Sequence, residues 1–195
     1  MFAIIIFIAI LGLIYVAYHI YCNYYWKNRI IDNFPFIHKG RMFWYSRSIA
    51  TTLFAFAKGS DDRWYVLANK RGEGAADFQG LWNAPCGYLN FNEDGEESAQ
   101  RETFEETGVF IPKADIKLWK AITNPAQNRQ NVSFKYYTIL QGICESYTFS
   151  MDNMEVKEVE EIAWVPVDIV DRFNWAFNHN DDIKQIASEI LETNV

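Results

Sequence analysis

Three glutamates close together carry the strongest chemical signal in this chain. Glu102, Glu105 and Glu106 lie three and four residues apart, so on a helix their carboxylates share one face. Like charges at those spacings repel by a few tenths of a kcal/mol per pair. Arg101 offsets part of that repulsion, because it can pair at four-residue spacing with Glu97 and Glu105. The remaining acidic face suits a hard divalent cation, which takes oxygen ligands. Mg²⁺ fits best, since it keeps waters and uses few carboxylates together with substrate phosphates; Mn²⁺ is the alternative ion. The plain reading of the same residues is a solvated acidic helix face.

The flanking residues dictate the element that holds the glutamates. Asp94 followed by Glu97 has the form of a capping box, which predicts a helix starting near Gly95. Gly108 suits the left-handed position after a helix end, which predicts a stop near Thr107. Upstream, Pro85-Cys86-Gly87 makes a tight approach to that helix, from which backbone carbonyls can reach the same cation. Cys86 as a nucleophile is the rival reading, and it lacks a histidine near it in sequence.

Written as a pattern, Gly87 to Val109 reads G-x5-E-x7-R-E-x-x-E-E-x-G-V. This run resembles the Nudix box, the signature of hydrolases that cut nucleoside diphosphates linked to another group. The family pattern has a bulky apolar residue after Arg-Glu, where this chain has Thr103, and a glycine before the box glycine, where this chain has Cys86. The resemblance implies Glu105 and Glu106 as principal metal ligands, and Glu102 as a further ligand or the group that orients a metal-bound water. It implies that Arg101 holds the glutamates with Glu93 as its salt-bridge partner. The backbone carbonyl of Cys86, beside Gly87, would complete the metal site, and Gly87, Glu93 and Gly108 would be structural. A distal glutamate serving as base or ligand is also implied, with Glu155, Glu158, Glu160 and Glu161 as candidates.

The box specifies the diphosphate chemistry and leaves the attached group open. Pro125 lies sixteen residues after Val109, an offset associated in the family with ADP-ribose hydrolases; as a local signal, Asn124-Pro125 starts a turn. Trp82 either walls the cleft or belongs to the core, and Asn128 and Arg129 are loop polars able to meet ribose or phosphate. Two other readings stand beside a nucleotide hydrolase. One is a catalytically silent sensor at the membrane, which has no need of the whole Arg101, Glu102, Glu105 and Glu106 set. The other is a prenyl diphosphate isomerase on the same fold, which needs a nucleophile such as Cys86 or Cys144.

The chain has 195 residues and a formal charge of −7. An acidic balance argues against sequence-independent nucleic-acid binding. Three separated cysteines (Cys22, Cys86, Cys144) do not form a disulfide framework. From Met1 to Trp26 there is no Asp, Glu, Lys or Arg, and about 20 apolar residues suffice to cross a ~30 Å hydrocarbon core. Tyr18, Tyr21, Tyr24, Tyr25 and Trp26 follow as an aromatic belt, then Lys27 and Arg29. This predicts a single-pass anchor over residues 1–26 with the catalytic part in the cytoplasm. A cleaved signal peptide would show a basic start and a small-residue cleavage site, and neither is visible. The oligomeric state is not legible, since Gly12 stands alone without a GxxxG pair.

Residues 27–45 read as a connector, and residues 46–195 as the catalytic domain. Strands are predicted over Ser48–Ala57, Arg63–Asn69, Lys117–Thr123, Val132–Gln141 and Val159–Val167. A terminal helix is predicted over Asp181–Glu192 with Ile183, Ile186, Ala187 and Ile190 inward. His179, in Phe177-Asn178-His179-Asn180, reads as a surface or capping residue of a loop. The fold class is α+β. By resemblance, which covers roughly residues 48–192, it is an α/β/α sandwich with a mixed sheet, preceded by one transmembrane helix.

Overall fold

The computed structural model describes residues 9–21, 34–127, 131–150 and 157–191. The chain divides into two compact units, Met1–Ser46 and Arg47–Val195.

In the first unit, residues 9–21 form helix α1, exposed along its whole length. His19 is the strongly polar residue of this apolar helix, and Tyr15 one turn earlier satisfies it (Nε2 to hydroxyl, 3.0 Å). Thirteen residues at 1.5 Å each span about 20 Å, against the ~30 Å of a bilayer core. Among the described residues no helix is long and apolar enough to cross a membrane. The rest of the expected span, residues 1–8 and 22–26, lies outside them. The expected connector holds regular structure: β1 (Phe34–His38) pairs antiparallel with β2 (Arg41–Tyr45). Lys39 and Gly40 form the two-residue turn, both at positive φ (48° and 74°), the backbone that a tight hairpin requires. Pro35 and mixed charges mask this hairpin in the sequence, where residues 27–45 carry no strand pattern.

The second unit is built on one mixed sheet. Its strands are β3 (Ser48–Lys58), β4 (Trp64–Arg71), β5 (Trp82–Asn83), β6 (Cys86–Tyr88), β7 (Lys117–Ile122), β8 (Asn131–Ile143) and β9 (Val159–Pro166). The main order is β5-β4-β3-β8-β7, with β6 on β3 and β9 on β4. Strand β3 is parallel to β8 and antiparallel to its other partners. Its alternation sets the layers. Leu53 and Ala55 point to one core with Ala99, Val109 and Ile111, while Phe54 and Phe56 point to the other with Ile183, Ile186 and Leu191. A strand buried on both faces needs an unbroken apolar run, and Leu53–Ala57 supplies it, every residue fully buried. Helix α2 (Gly95–Thr107) lies over the first core and α3 (His179–Ile186) over the second.

One edge of β3 serves two strands. Its C-terminal end pairs with β4 (Phe56↔Val66), and its N-terminal half pairs with β6 (Thr52↔Cys86, Ala50↔Tyr88). The switch comes at Leu53, whose N–H donates to the Pro85 carbonyl at 3.0 Å. Strand β4 therefore diverges from β3, and the fork between β4 and β6 opens a space beneath α2. After Ile186 the terminal helix widens to a π turn, Ala187–Leu191. The step of five brings Leu191 into the core, and Ala187 and Ile190 end up only partly buried.

Candidate active site

Helix α2 has both of its ends held in place. The Asp94 side chain accepts from the Glu97 N–H (3.0 Å), and the Glu97 carboxylate accepts from the Asp94 N–H (2.9 Å), a reciprocal cap. Gly108, at φ 75°, closes the other end. The buried face of α2 is Ser98, Ala99, Thr103 and Thr107, small residues whose three hydroxyls all find partners, Ser98 with the Thr51 hydroxyl (2.9 Å). Thr103 donates to the Ala99 carbonyl (2.7 Å) and Thr107 to the Thr103 carbonyl (2.6 Å). The hydroxyl of Thr103 is thus satisfied within the helix, which is why its burial is tolerated.

Arg101 is the hub of the acidic cluster. Its guanidinium holds both oxygens of Glu93 (2.7 and 2.9 Å), Glu102 (2.7 Å) and Glu105 (2.8 Å), and donates to the Tyr88 carbonyl on β6 (3.0 Å). Glu97 is not a partner, since the cap and Lys113 engage it. Gripped by Arg101, Glu93 titrates near 2, and the surrounding carboxylates raise Arg101 further above its usual range. Gly87 on β6 lies so close to α2 that a Cβ there would meet the Glu102 carboxylate at 2.2 Å. Only glycine permits that approach.

Glu106 stands apart from the Arg101 network. Its Oε2 accepts from the Cys86 N–H at 3.2 Å. Burial, then the charge of Glu102, holds its carboxyl well above the usual carboxylate range, with Glu158 adding to the effect and Arg71 opposing it. Burial also raises Glu102, against the pull of Arg101. A carboxyl so placed favours its neutral form, and a cation bound beside it would favour the ionised one. The cleft around it has a volume of about 430 Å³, with Glu102, Glu105, Glu106 and Glu158 facing Arg71, Arg101 and the β6 backbone. Among the described residues no three His, Cys, Asp or Glu side chains already converge as ligands, since Arg101 occupies Glu102 and Glu105. The donor set is all oxygen and anionic, and that chemistry fits a hard divalent cation.

Several cleft residues escape sequence reasoning. Arg71 ends β4, and Lys70-Arg71-Gly72 marks it only as a strand end. Of the four distal glutamates, Glu158 lines the cleft, Glu160 pairs with Lys70 (2.7 Å), Glu161 is exposed on β9 opposite Lys70 and Glu155 lies outside the described residues. Backbone bonds place Glu158: Gly72 N–H donates to its carbonyl (2.7 Å) and Gly74 N–H to that of Lys157 (2.9 Å). Of the described substrate candidates, neither Trp82 nor Pro125 lines the cleft. Trp82 packs edge-on against Phe173 (5.8 Å) at the α3-side core. Pro125 sits in an exposed turn that Asn124 caps through the Ala126 N–H (2.9 Å). Asn128 lies outside the described residues. His179 is not a surface residue, being only 2 % exposed at the start of α3. Its Nδ1 accepts from the Ala84 N–H at 3.1 Å, and burial beside Lys135 and Arg71 lowers it to about 3. Cys86 offers no thiolate, since burial pushes its thiol up to about 12.

The family model for the NUDIX domain matches residues 48–186. The chain belongs to the Nudix family. Its fold is similar to the NUDIX domain of Shewanella oneidensis NrtR, determined with ADP ribose: TM-score 0.63, 20% identity, covering 85% of this chain and 96% of that one. It is also similar to a MutT/nudix family protein of Enterococcus faecalis, with TM-score 0.62, 18% identity, and 87% and 73% of the two chains covered. A bifunctional NMN adenylyltransferase/ADP ribose pyrophosphatase of Francisella tularensis, determined with AMP and Mn, is similar at TM-score 0.56 and 14% identity over 74% of this chain and 42% of that one.

Proposed function

We propose that the Arg47–Val195 unit is a divalent-metal-dependent pyrophosphohydrolase acting on a nucleoside diphosphate linked to another group, with an ADP-ribose-like compound as the first substrate to try. The observation that carries this reading is the gathering of the Glu102, Glu105, Glu106 and Glu158 carboxylates in one cleft that also presents Arg71 and Arg101. The cleft volume of about 430 Å³ is in the range of small-molecule sites. Glu102, Glu105 and Glu106, with the backbone at Cys86 and Gly87, would hold the cation, Mg²⁺ or Mn²⁺. Bound there, a divalent cation neutralises pyrophosphate charge and acidifies a water. Arg101 keeps Glu102 and Glu105 from turning away, and Arg71 supplies the cationic wall toward the phosphates. Glu158 and Glu102 are the carboxylates placed to accept a proton from the attacking water. ADP ribose is the compound held by the similar Shewanella domain, which supports its place in the panel.

The complete Arg101, Glu102, Glu105 and Glu106 set weighs against a silent sensor. An isomerase is disfavoured because Cys86 and Cys144 titrate near 12 and 11, so both thiols stay protonated at neutral pH. The test is hydrolysis of ADP-ribose, dinucleoside polyphosphates, NADH and oxidised dNTPs with Mg²⁺ or Mn²⁺. Glu106→Gln is expected to lower kcat by about 10²-fold or more. The same change removes a carboxyl whose ionised form its surroundings disfavour, so the apo protein should melt at an equal or higher temperature. Wild-type turnover in Glu106→Gln would refute the site.

We also propose that residues 1–26 tether this unit to a membrane with the catalytic part in the cytoplasm. Support comes from the absence of charge over Met1–Trp26 and the full exposure of apolar α1. A C-terminal reporter active only outside the cytoplasm would reverse that orientation, and recovery of the full chain in the soluble fraction would remove the anchor.

A further inference from the structure

The cleft presents two arginines, Arg71 and Arg101, and they differ in what their guanidinium groups have left to give. Arg101 spends every nitrogen: Nε and Nη2 on Glu93, Nη1 on Glu102 and Glu105, and Nη2 also on the Tyr88 carbonyl. Arg71 spends one edge. Its Nε donates to the Asp77 carbonyl (2.9 Å) and its Nη2 to Asp77 Oδ1 (2.7 Å). Among the described residues its Nη1 has no hydrogen-bond partner. A planar guanidinium held along the Nε–Nη2 edge keeps the Nη1–Nη2 edge for a second bidentate acceptor.

The guanidinium of Arg71 is held from more than one side. Beside the two Asp77 bonds, it lies over the Phe177 ring at 5.2 Å. The segment that carries Asp77 is itself tied down. Arg71 N–H donates to the Leu81 carbonyl (2.9 Å) and Gly80 N–H to the Arg71 carbonyl (2.7 Å), which closes the base of the loop. Inside it, Gln79 Nε2 donates to the carbonyls of Glu73 and Ala75 (2.8 and 2.9 Å). Asp77 therefore meets Arg71 from an ordered frame.

The Asp77 side chain is 55 % exposed and that of Arg71 13 %. An ion pair with one partner in solvent adds little to stability, so fold strength does not account for this clamp. Orientation does. Arg71 lines the cleft with Glu102, Glu105, Glu106 and Glu158, and its charge opposes the rise of the Glu106 carboxyl. A free arginine in that place would turn onto those carboxylates, as Arg101 does. Asp77 lies off the cleft lining and offers Arg71 a carboxylate there instead, so the open edge is kept for a ligand. Locking the side chain that binds by a neighbour that does not is how a binding group is held to its geometry.

We propose that Asp77 is a positioning residue, which sets the Nη1–Nη2 edge of Arg71 on the pyrophosphate of the substrate. This rests on the pyrophosphohydrolase reading, in which Arg71 faces the phosphates. Two phosphate oxygens match the arginine fork, whereas a lysine at position 71 would bring charge without the fork and could not be gripped along an edge.

The test is calorimetric titration of the full chain with inorganic pyrophosphate in excess Mg²⁺. The proteins are the wild type, Asp77→Ala, Asp77→Asn, Arg71→Ala and the double variant Asp77→Ala/Arg71→Ala. Arg71→Ala is expected to weaken pyrophosphate about tenfold or more. Asp77→Ala should weaken it about fivefold, because Arg71 then holds the binding orientation for only part of the time. Asp77→Asn keeps the Oδ1 acceptor and should stay within about twofold of the wild type. In the Arg71→Ala background, Asp77→Ala should change affinity by less than about twofold, since the two residues act as one unit. A merely structural Asp77 would weaken binding equally in both backgrounds, and a merely electrostatic one would tighten it in Asp77→Ala. Either result overturns the proposal, as does unchanged binding in Asp77→Ala or no binding by the wild type. The reading beneath it fails separately. Glu106→Gln with full turnover removes the hydrolase assignment, while an Arg71-dependent effect of Asp77 on pyrophosphate keeps the positioning role.

Discussion

Arg101 and Gly87 do complementary work at the level of single residues. Arg101 ties Glu93, Glu102 and Glu105 to one guanidinium, and Gly87 leaves just enough room for Glu102 beside β6. The atom that a Cβ at position 87 would strike is the far end of a flexible side chain, so relief is local. Gly87→Ala is expected to cost only about 1 kcal/mol of stability. It should still push the Glu102 carboxylate out of place, and a shift near 1 Å at a catalytic group costs up to about 10²-fold in rate. Thermal melting and kcat measured together check this. A large loss of Tm with kcat unchanged would show that Gly87 serves the fold and not the site. The Gly87–Val109 run was readable in advance because caps and i, i+4 pairs are local physics. Arg71 was not, and Glu158 was legible only as one of four distal glutamates, because both reach the cleft through strand divergence and the clasp of Gly72 and Gly74 on the 157–158 segment.

At the scale of elements, the turn that feeds β6 depends on α3. Ala84 N–H donates to His179 Nδ1, and His179 lies in the Phe54 core with its ring edge-on to Phe54 (5.3 Å). The sequence showed a histidine among loop residues, and only the packing of α3 against β3 reveals it as a buried acceptor. Its depressed pKa has a definite sign. The folded state keeps it neutral down to about 3, while the unfolded chain protonates it near 6.5. Between those values the unfolded state binds more protons, so stability is full above about 6.5 and falls as pH drops through that window. From pH 6.5 to 5 the expected loss from this group is about 2 kcal/mol. His179→Asn, which keeps an acceptor without the titration, should flatten that part of the Tm-against-pH curve. An identical slope in both proteins would show that other groups govern the acid limb.

For the whole molecule, the boundary between the units falls just before β3. That strand is the hinge of the architecture, since β4, β6 and β8 all pair with it. Arg47 is part of this frame, donating to the Thr123 carbonyl at 2.6 Å and to that of Asn131. The fold class was legible from the mix of strand-like runs and a helix that announces its own ends, and the layered sandwich from the resemblance of the Gly87–Val109 run to the Nudix box. The two-residue β5, the three-residue β6 and the β1–β2 hairpin were not, because strands so short carry no periodicity and are defined by their partners. A chain beginning at Arg47 retains every strand of the seven-stranded sheet and both helices of the sandwich. It is therefore expected to fold cooperatively, to keep kcat/KM within about twofold of the full chain, and to lose whatever membrane association residues 1–26 confer. Urea unfolding, turnover and vesicle sedimentation of the two chains check the three parts. Loss of cooperative unfolding would mean that Met1–Ser46 belongs to the catalytic fold, and retained sedimentation would place the membrane-binding surface within residues 47–195.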